Sequence, residues 1–160
     1  MYDMIAPDLY KVALYTLGNT HDAEDVVSET FIEAYKGISK LREADKFKAW
    51  MMKILSIRCK RKIAEYVKGK RELDIETVLG GLTDPSDVSG EVSEQVTVLA
   101  AMNRLSEQER LIIQLAVMQG YTTREVSEIL DSPHGTISSK LHRALAKLRR
   151  MIDLDIPSRK

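Results

Sequence analysis

The sequence is poor in cysteine and has no long apolar run. Cys59 is the only cysteine among 160 residues, so no disulfide can form within the chain and a reducing compartment is expected. No apolar stretch approaches the roughly 20 residues that a membrane-spanning helix needs. Residues 1–4 lack the basic and apolar regions of a signal peptide. These absences favour a cytoplasmic protein.

Motifs for catalysis and metal binding are also missing. The sequence contains no glycine-rich phosphate loop, no nucleophile elbow and no cluster with metal-ligand spacing. The possible zinc ligands are His21, His134 and His142, which are scattered along the sequence, and one cysteine. A zinc site is therefore disfavoured. We therefore expect no enzyme activity of this chain alone, no metal and no cofactor.

Strand-forming residues are scarce as well. Aromatic residues amount to 6%, and runs rich in Val, Ile and Thr are few, whereas 44% hydrophobic and 30% charged residues are typical of a globular protein. The composition therefore predicts an all-α fold, and the length is sufficient for two small domains.

The net charge is zero, but the charges are segregated along the chain. Residues 1–39 contain seven acidic and two basic groups, residues 40–71 three acidic and twelve basic groups, and residues 72–96 seven acidic groups and no basic one. Residues 134–150 contain five Lys or Arg and no acid. The two basic blocks are candidates for binding a polyanion, although either one alone is explained equally simply as a solvated helix face.

Apolar residues recur at helical spacing in the N-terminal half and predict three helices. The second of these carries an acidic strip opposite its apolar face, residues 37–46 form a loop, and a long basic helix follows from about residue 47 to 68. Trp50 is interpreted as a core anchor in preference to a base-stacking residue. The predicted apolar side of the basic helix consists of Phe47, Trp50, Met51, Ile54 and Ile57.

An acidic stretch with several glycines separates this half from the next. Residues 69–94 have little helical periodicity and predict a flexible linker. The C-terminal half has sharper helix boundaries, because 106–109 and 122–125 have the spacing of capping boxes. Ser132 followed by Pro133 suits the start of a final helix that ends near residue 152. Along that helix the predicted inward positions are Ile137, Leu141, Leu145 and Leu148.

Residues 122–150 have the layout of a helix-turn-helix: a short helix, a turn at 131–133 and a longer basic helix. In this motif the first residues of the second helix approach base edges in the major groove. Here they are small or polar, which suits close approach, and the basic residues that follow at spacings of three and four share one face. An ordinary helical hairpin with a basic exposed side is the simpler alternative. The groove positions and the basic face consist of His134, Gly135, Thr136, Ser138, Ser139, Lys140, Arg143, Lys147 and Arg150.

Two groups of motifs resemble one known family. LSEQER at 105–110, EVSEIL at 125–130 and GTISSKLHRA at 135–144 resemble the fourth conserved region of sigma factors of the extracytoplasmic function (ECF) subgroup. DAEDVVSETF at 22–31 resembles the polymerase-binding helix of the family's second region, and FKAWMMKI at 47–54 resembles the start of its promoter-melting helix. Both groups occur in the family's order, across an acidic linker.

The resemblance implies two small helical domains, a region 2-like domain at 1–68 and a region 4-like domain at 95–153, joined by the linker at 69–94. It also implies a factor that binds core RNA polymerase and recognises two promoter elements. The −35 element is recognised as duplex. The −10 element is recognised as melted strand, and the factor helps to open it. An anti-sigma factor is a further partner that the resemblance suggests.

Carried over position by position, the resemblance assigns three sets of site residues. Those for polymerase binding are Asp22, Asp25, Val26, Glu29 and Glu33. Those for the proximal (−10) element are Lys40, Arg42, Lys46, Trp50, Lys53, Ser56, Arg58, Lys60 and Arg61. Those for the distal (−35) element are His134, Thr136, Ser138, Ser139, Lys140, His142, Arg143 and Lys147.

Three positions depart from the family pattern: Ile57 where asparagine is common, Arg61 where an acid is common, and Ser138 where a basic residue is common. These departures affect the expected base contacts and therefore the promoter sequence that is recognised. They leave the fold prediction unchanged. The rival classes are a DNA-binding regulator that never acts as a polymerase subunit and a helical adaptor that binds only protein. The basic helix after an acidic helix disfavours the first, and the acid-free final helix disfavours the second.

Overall fold

The computed structural model describes residues 2–73 and 94–155, and within these ranges it is helical and contains no strand. The N-terminal half consists of α1 (Tyr2–Leu17), α2 (Thr20–Gly37) and α3 (Phe47–Leu73). The C-terminal half consists of α4 (Glu94–Asn103), α5 (Glu107–Ile113), α6 (Thr123–Leu130) and α7 (His134–Asp155). The prediction of an all-α fold is confirmed for this part of the chain.

The helices extend into the predicted linker at both of its ends. α3 continues to Leu73 and α4 begins at Glu94, so residues 69–73 and residue 94 are helical. Gly69 does not end α3, because a single glycine costs a helix only about 1 kcal/mol relative to alanine. The rest of the predicted linker, residues 74–93, lies outside the described residues.

Local backbone chemistry sets the helix boundaries in the N-terminal half. Gly18 ends α1 with a left-handed φ of +70°, and its N–H donates to the carbonyl of Leu14 at 2.8 Å. Asn19 caps α2 by accepting from the N–H of Asp22 at 2.9 Å. The predicted loop at 37–46 contains two short 3-10 turns, Ile38–Lys40 and Ala44–Lys46.

Of the two predicted capping boxes, one is complete. Thr122 and Glu125 exchange both bonds, each 3.1 Å long. At the other, the N–H of Glu109 donates to Ser106 at 3.2 Å, but the carboxylate of Glu109 pairs with Lys147 of α7 at 3.0 Å. The reciprocal half of this box was therefore a wrong prediction, because a tertiary ion pair takes the carboxylate.

The start of α7 differs from the prediction by one residue. The helix begins at His134, and the N–H of Ile137 bonds to the carbonyl of Pro133 at 3.1 Å. The hydroxyl of Ser132 donates to the carbonyl of Leu130 at 3.3 Å. Ser132 therefore stabilises the turn after α6 and does not cap α7.

The predicted apolar faces of α3 and α7 are each corrected at one or more positions. Ile57 is 44% exposed and Leu145 is 39% exposed, so neither faces the core. In α7 the inward position is taken by Ala144, which is 1% exposed. The face of α3 that is buried is rotated from the predicted one and consists of Met51, Met52, Leu55, Ser56, Cys59 and Ile63.

The two halves pack directly against each other. α1 contacts α5, and α3 contacts α6. One continuous cluster of buried side chains includes Leu9 of α1, Leu55 of α3, Leu111 of α5 and Ile129 of α6. A smaller cluster lies between α4, α5 and the end of α7. The apolar core thus spans both halves, because the faces that each half cannot cover alone are buried against the other.

A buried arginine lies at the junction of the halves. Arg110 is 7% exposed, and its Nε donates to the carbonyl of Thr16 in the last turn of α1 at 2.9 Å. One terminal nitrogen donates to Leu105 at 2.8 Å and to Met102 and Asn103 at 3.4 Å each, at the end of α4. Burial lowers the pKa of Arg110 from its ordinary value. The guanidinium therefore satisfies the carbonyls at the ends of two helices.

Arg110→Met should destabilise the protein by about 3 kcal/mol, because it leaves several buried carbonyls without a donor. Urea unfolding monitored by circular dichroism measures this effect. Arg104→Met is the matched control, since Arg104 is exposed, and it should change stability by no more than about 0.5 kcal/mol. Equal effects of the two substitutions would show that the Arg110 contacts contribute nothing.

Candidate nucleic-acid interface

α7 presents the predicted groove residues at its first turns. Thr136 and Ser139 are exposed, as are His142, Arg143 and Lys147 further along, and Ser138 and Lys140 are half-buried. Ile137 and Ala144 face the core on the opposite side. The helix therefore combines an apolar side that fixes its position with a polar side that faces solvent.

The start of α7 is tied to α6 by short polar contacts. The ring Nε2 of His134 lies 2.9 Å from the hydroxyl of Thr123, at the start of α6. Asp131 in the turn has a left-handed φ of 50°, and its N–H bonds to the carbonyl of Glu128 at 3.3 Å. The helix-turn-helix is thus held by contacts within the motif itself. His134, predicted to contact DNA, is exposed and has one ring nitrogen engaged within the motif.

Basic side chains of α7 surround an open cavity of about 220 Å³ beside the start of α5, with Ser106, Gln108, Glu109, Lys140, Arg143 and Lys147 lining it. Lys147 is held by Glu109 at 3.0 Å, and Arg143 Nε donates to the carbonyl of Ser139 at 3.3 Å. The remaining guanidinium donors of Arg143 and the ammonium of Lys140 are oriented by a rigid helix, which suits contact with phosphate.

The predicted proximal surface divides into exposed and occupied residues. Lys40, Arg42, Lys53 and Arg61 are exposed and make no ion pair with any residue that the structure describes. Lys46 pairs with Glu43 at 3.1 Å, and the hydrogen bond to Glu43 raises the pKa of Lys46. These residues surround the loop at 37–46 and one side of α3.

Other members of that surface are engaged within the protein. Lys60 donates to the carbonyl of Leu130 at 2.6 Å, and burial lowers the pKa of its amine. Trp50 is half-buried with its ring centroid 6.1 Å from that of Phe47, and a Cβ at Gly37 would lie 3.3 Å from the indole. The indole is therefore a core anchor, as the sequence suggested.

Ser56 corrects the predicted list of DNA contacts. Its side chain is 0% exposed and its hydroxyl has no hydrogen-bond partner among the described residues, because α6 and the turn after it pack against this part of α3. A nucleotide cannot reach this hydroxyl in the observed arrangement. The alternation of apolar and basic residues in α3 did not distinguish this position from its exposed neighbours.

The acidic strip of α2 is partly paired with α3. Asp25 is exposed and lies 3.4 Å from His21. Arg58 contacts Glu33 at 2.9 Å and Glu29 at 3.8 Å. Arg58, predicted to contact DNA, is thus placed against residues predicted to contact polymerase.

Asp22 and Val26 of α2, both predicted to bind polymerase, make contacts within the protein. Asp22 accepts a hydrogen bond from the hydroxyl of Tyr66 and lies 3.6 Å from Lys62, so it links α2 to α3. Burial, followed by the bond to Asp22, raises the pKa of Tyr66. Val26 is 2% exposed. Its assignment to polymerase binding was wrong for the side chain, since Val26 lies on the core side of α2.

Sequence reasoning missed Arg110, Lys62 and Tyr66 as residues that position these surfaces. Arg110 precedes a run of three apolar residues in α5, and nothing in its spacing indicates that it is buried. Lys62 belongs to a basic run whose members are indistinguishable in sequence. Tyr66 lies 44 residues from its partner. Each depends on a long-range contact that no local pattern reveals.

The fold and these surfaces define a helical, DNA-binding class of protein with a C-terminal helix-turn-helix and a second cationic helix. Models of two sigma-70 families match the two halves in order. The model of sigma-70 region 2 matches residues 1–68, and the model of sigma-70 region 4 matches residues 101–150. The class is therefore that of the sigma-70 transcription initiation factors.

Similarity to individual proteins narrows the class. The chain is 30% identical to the ECF RNA polymerase sigma factor SigW of Bacillus subtilis, over 94% of this chain and 86% of that protein. It is 26% identical to the ECF sigma factor BldN of Streptomyces coelicolor, over 97% of this chain and 60% of that protein. The chain belongs to the ECF sigma factors, and it is a promoter-recognising factor of RNA polymerase.

Solved structures share the fold. The sigma factor RpoE of Bartonella quintana, solved in complex with the anti-sigma factor NepR, matches with a TM-score of 0.72 and 23% identity, over 97% of this chain and 96% of that one. CnrH, solved in complex with the cytosolic domain of CnrY, matches with a TM-score of 0.64 and 21% identity, over 97% and 86% of the two chains. Among the described residues, no helix has the length and apolarity to cross a membrane.

Arg143→Gln should weaken binding to duplex DNA and lower the salt dependence of the binding constant by about one unit of log–log slope, because one phosphate contact is lost. Fluorescence anisotropy across a salt series measures both quantities. Arg149→Gln, about 120° around α7 from Arg143 and also exposed, is the matched control. A control that behaves like Arg143→Gln would mean that net charge, not the face of α7, determines binding.

Proposed function

We propose that three separate surfaces perform initiation, within a region 2-like domain at 1–68, a linker at 69–94 and a region 4-like domain at 95–153. In this proposal α7 reads the distal −35 element as duplex, the loop at 37–46 with α3 binds the −10 element as unpaired strand, and α2 docks on core polymerase. The observation that carries the proposal is that the family models match both halves in order, each with a basic helix facing solvent.

The role of α7 is supported by its rigidity and by its polar first turns. Thr136 and Ser139 are short, exposed side chains, so the helix can approach a major groove closely. Arg143 and Lys147 continue the same side and can contact phosphates, which position the helix without reading sequence. Ser138 and Lys140 are half-buried, and Lys140 reaches the basic cavity beside α5.

The role of α3 is supported by its uncompensated cations. Lys53 and Arg61 on α3, with Lys40 and Arg42 in the loop, provide an electropositive surface of the kind that follows a single-stranded backbone. Lys46 adds to this surface from the end of the loop. Lys60 can join it only if its bond to Leu130 is broken.

The role of α2 is supported by the exposure of Asp25 and of the carboxylates of Glu29 and Glu33, whose side chains are about half exposed. A row of acids on a rigid helix can steer a cationic partner surface and fix its register. Arg58 holds two of these acids in defined positions, so the strip is organised before docking.

We further propose that the chain contributes no catalytic step and needs no cofactor, and that it acts in the cytoplasm, where its polymerase is found. In this proposal RNA synthesis is catalysed by the partner, core RNA polymerase. An anti-sigma factor is a further candidate partner, since the structurally similar RpoE of B. quintana was solved with one.

Transcription with core polymerase tests the proposed function as a whole. Core enzyme supplemented with this protein should start transcripts at discrete sites on a genomic DNA library, and core enzyme alone should not. Mapping the 5′ ends by sequencing identifies those sites and aligns the two elements upstream of them. Transcripts without any discrete start would contradict the proposal.

Asp25→Arg should weaken binding to core polymerase by roughly tenfold, because reversing a charge in the docking strip replaces an attraction with a repulsion. Asp25 is preferable to Glu29 or Glu33, since it does not contact Arg58. Glu24→Arg, also on α2, exposed and off the strip, is the control. Affinity is measured by titrating core enzyme against labelled protein. An unchanged affinity of Asp25→Arg would exclude this strip as the docking site.

A further inference from the structure

A carboxylate lies among the basic side chains that α7 offers to duplex. The open cavity of about 220 Å³ between α7 and the start of α5 is lined by the cations Lys140, Arg143 and Lys147, and also by Glu109 of α5. The three cations follow one another at spacings of three and four residues, so they form a row on one side of α7. The negative charge of Glu109 at one end of this row opposes the binding of a DNA phosphate there.

Glu109 is paired with the last cation of the row. Its Oε1 accepts a hydrogen bond from the ammonium of Lys147 at 3.0 Å, and its side chain is 21% exposed. Its other oxygen, Oε2, is buried and has no hydrogen-bond partner among the described residues. Departure of Lys147 would therefore leave this partly buried carboxylate without its cation, and an unpaired buried charge is costly.

The first two cations of the row are in a different state. Neither Lys140 nor Arg143 makes an ion pair with any residue that the structure describes. The Nε of Arg143 donates to the carbonyl of Ser139 at 3.3 Å, which orients the guanidinium and leaves its terminal nitrogens for an anion. The positive potential of the row is therefore highest at Lys140 and Arg143, next to the first turns of α7.

We propose that Glu109 positions the DNA backbone on α7: it holds Lys147 back from phosphate and confines the phosphate contacts of the row to Lys140 and Arg143. This inference rests on the proposed role of α7. A phosphate that approaches Lys147 must compete with Glu109 and is repelled by it. A phosphate at Lys140 or Arg143 avoids both effects and directs the first turns of α7 toward the base edges.

Glu109→Gln tests the assignment, because glutamine keeps the shape of the side chain and removes its charge. Duplex affinity of the full chain is measured by fluorescence anisotropy across a salt series, on a random duplex of about 20 base pairs, or two helical turns. The variant should bind roughly threefold to tenfold more tightly at low salt, with a log–log salt slope steeper by about one unit, since Lys147 then gains a phosphate.

Glu128→Gln is the matched control for net charge. Glu128 lies on α6, is exposed and does not line the cavity. Its substitution removes the same charge and should leave the salt slope unchanged. Circular dichroism of each variant verifies that it is folded.

Substitutions of Lys147 show whether Glu109 acts through this side chain. In the wild-type background, Lys147→Gln should lower the salt slope by much less than Arg143→Gln does, and this comparison involves no change at Glu109. In the Lys147→Gln background, Glu109→Gln should leave the slope unchanged, because no cation is released. An ion pair with a purely structural role would change urea unfolding and leave all these slopes equal.

Three results would overturn the proposal. One is an unchanged slope of folded Glu109→Gln, and another is a steeper slope that persists without Lys147. The third is an equal loss of slope in Lys147→Gln and Arg143→Gln, which would show that Lys147 already contacts phosphate in the wild type. Absence of duplex binding by the wild type and every variant would instead contradict the proposed role of α7, and the inference would fail with it.

Discussion

The burial of the Arg110 guanidinium is the constraint on which the rest of the structure depends. A buried cation is tolerated only when hydrogen bonds saturate it. Here the acceptors are carbonyls at the ends of α1 and α4 and in the turn that follows α4. Helix ends carry unsatisfied carbonyls and a partial negative charge, so one guanidinium compensates two of them. Because the two helices belong to different halves, the arginine also fixes how the halves sit together.

The position of α5 that follows from this contact determines the remaining geometry. α5 continues through a π-helical turn at Gln114–Met118 to the Gly120 bend, and the Thr122 cap starts α6 there. α6 then lies against α3 and carries the turn that contacts Lys60. Placement of α7 follows from the same turn.

The zero net charge conceals a division between paired and unpaired groups. Arg58 is held by Glu29 and Glu33, and Lys62 by Asp22 and Glu65. Such pairs at the surface contribute little stability, but they orient the side chains that carry them. Lys53, Arg61 and most basic side chains of α7 have no such ion-pair partner within the described ranges. The positive electrostatic potential that attracts a polyanion is therefore concentrated at these side chains.

The sequence by itself determined the helical class, the order of the helices, both basic helices and the helix-turn-helix, because these depend on periodicity and on capping residues a few positions apart. It placed Thr122 and Glu125 correctly for that reason. Only the tertiary structure decided the rotation of α3, which exposes Ile57 and buries Ser56, the partner of Glu109, and the burial of Val26 and Arg110. These properties depend on contacts between residues far apart in the chain, such as Lys60 with Leu130, and a local pattern contains no record of which distant surface a side chain will meet.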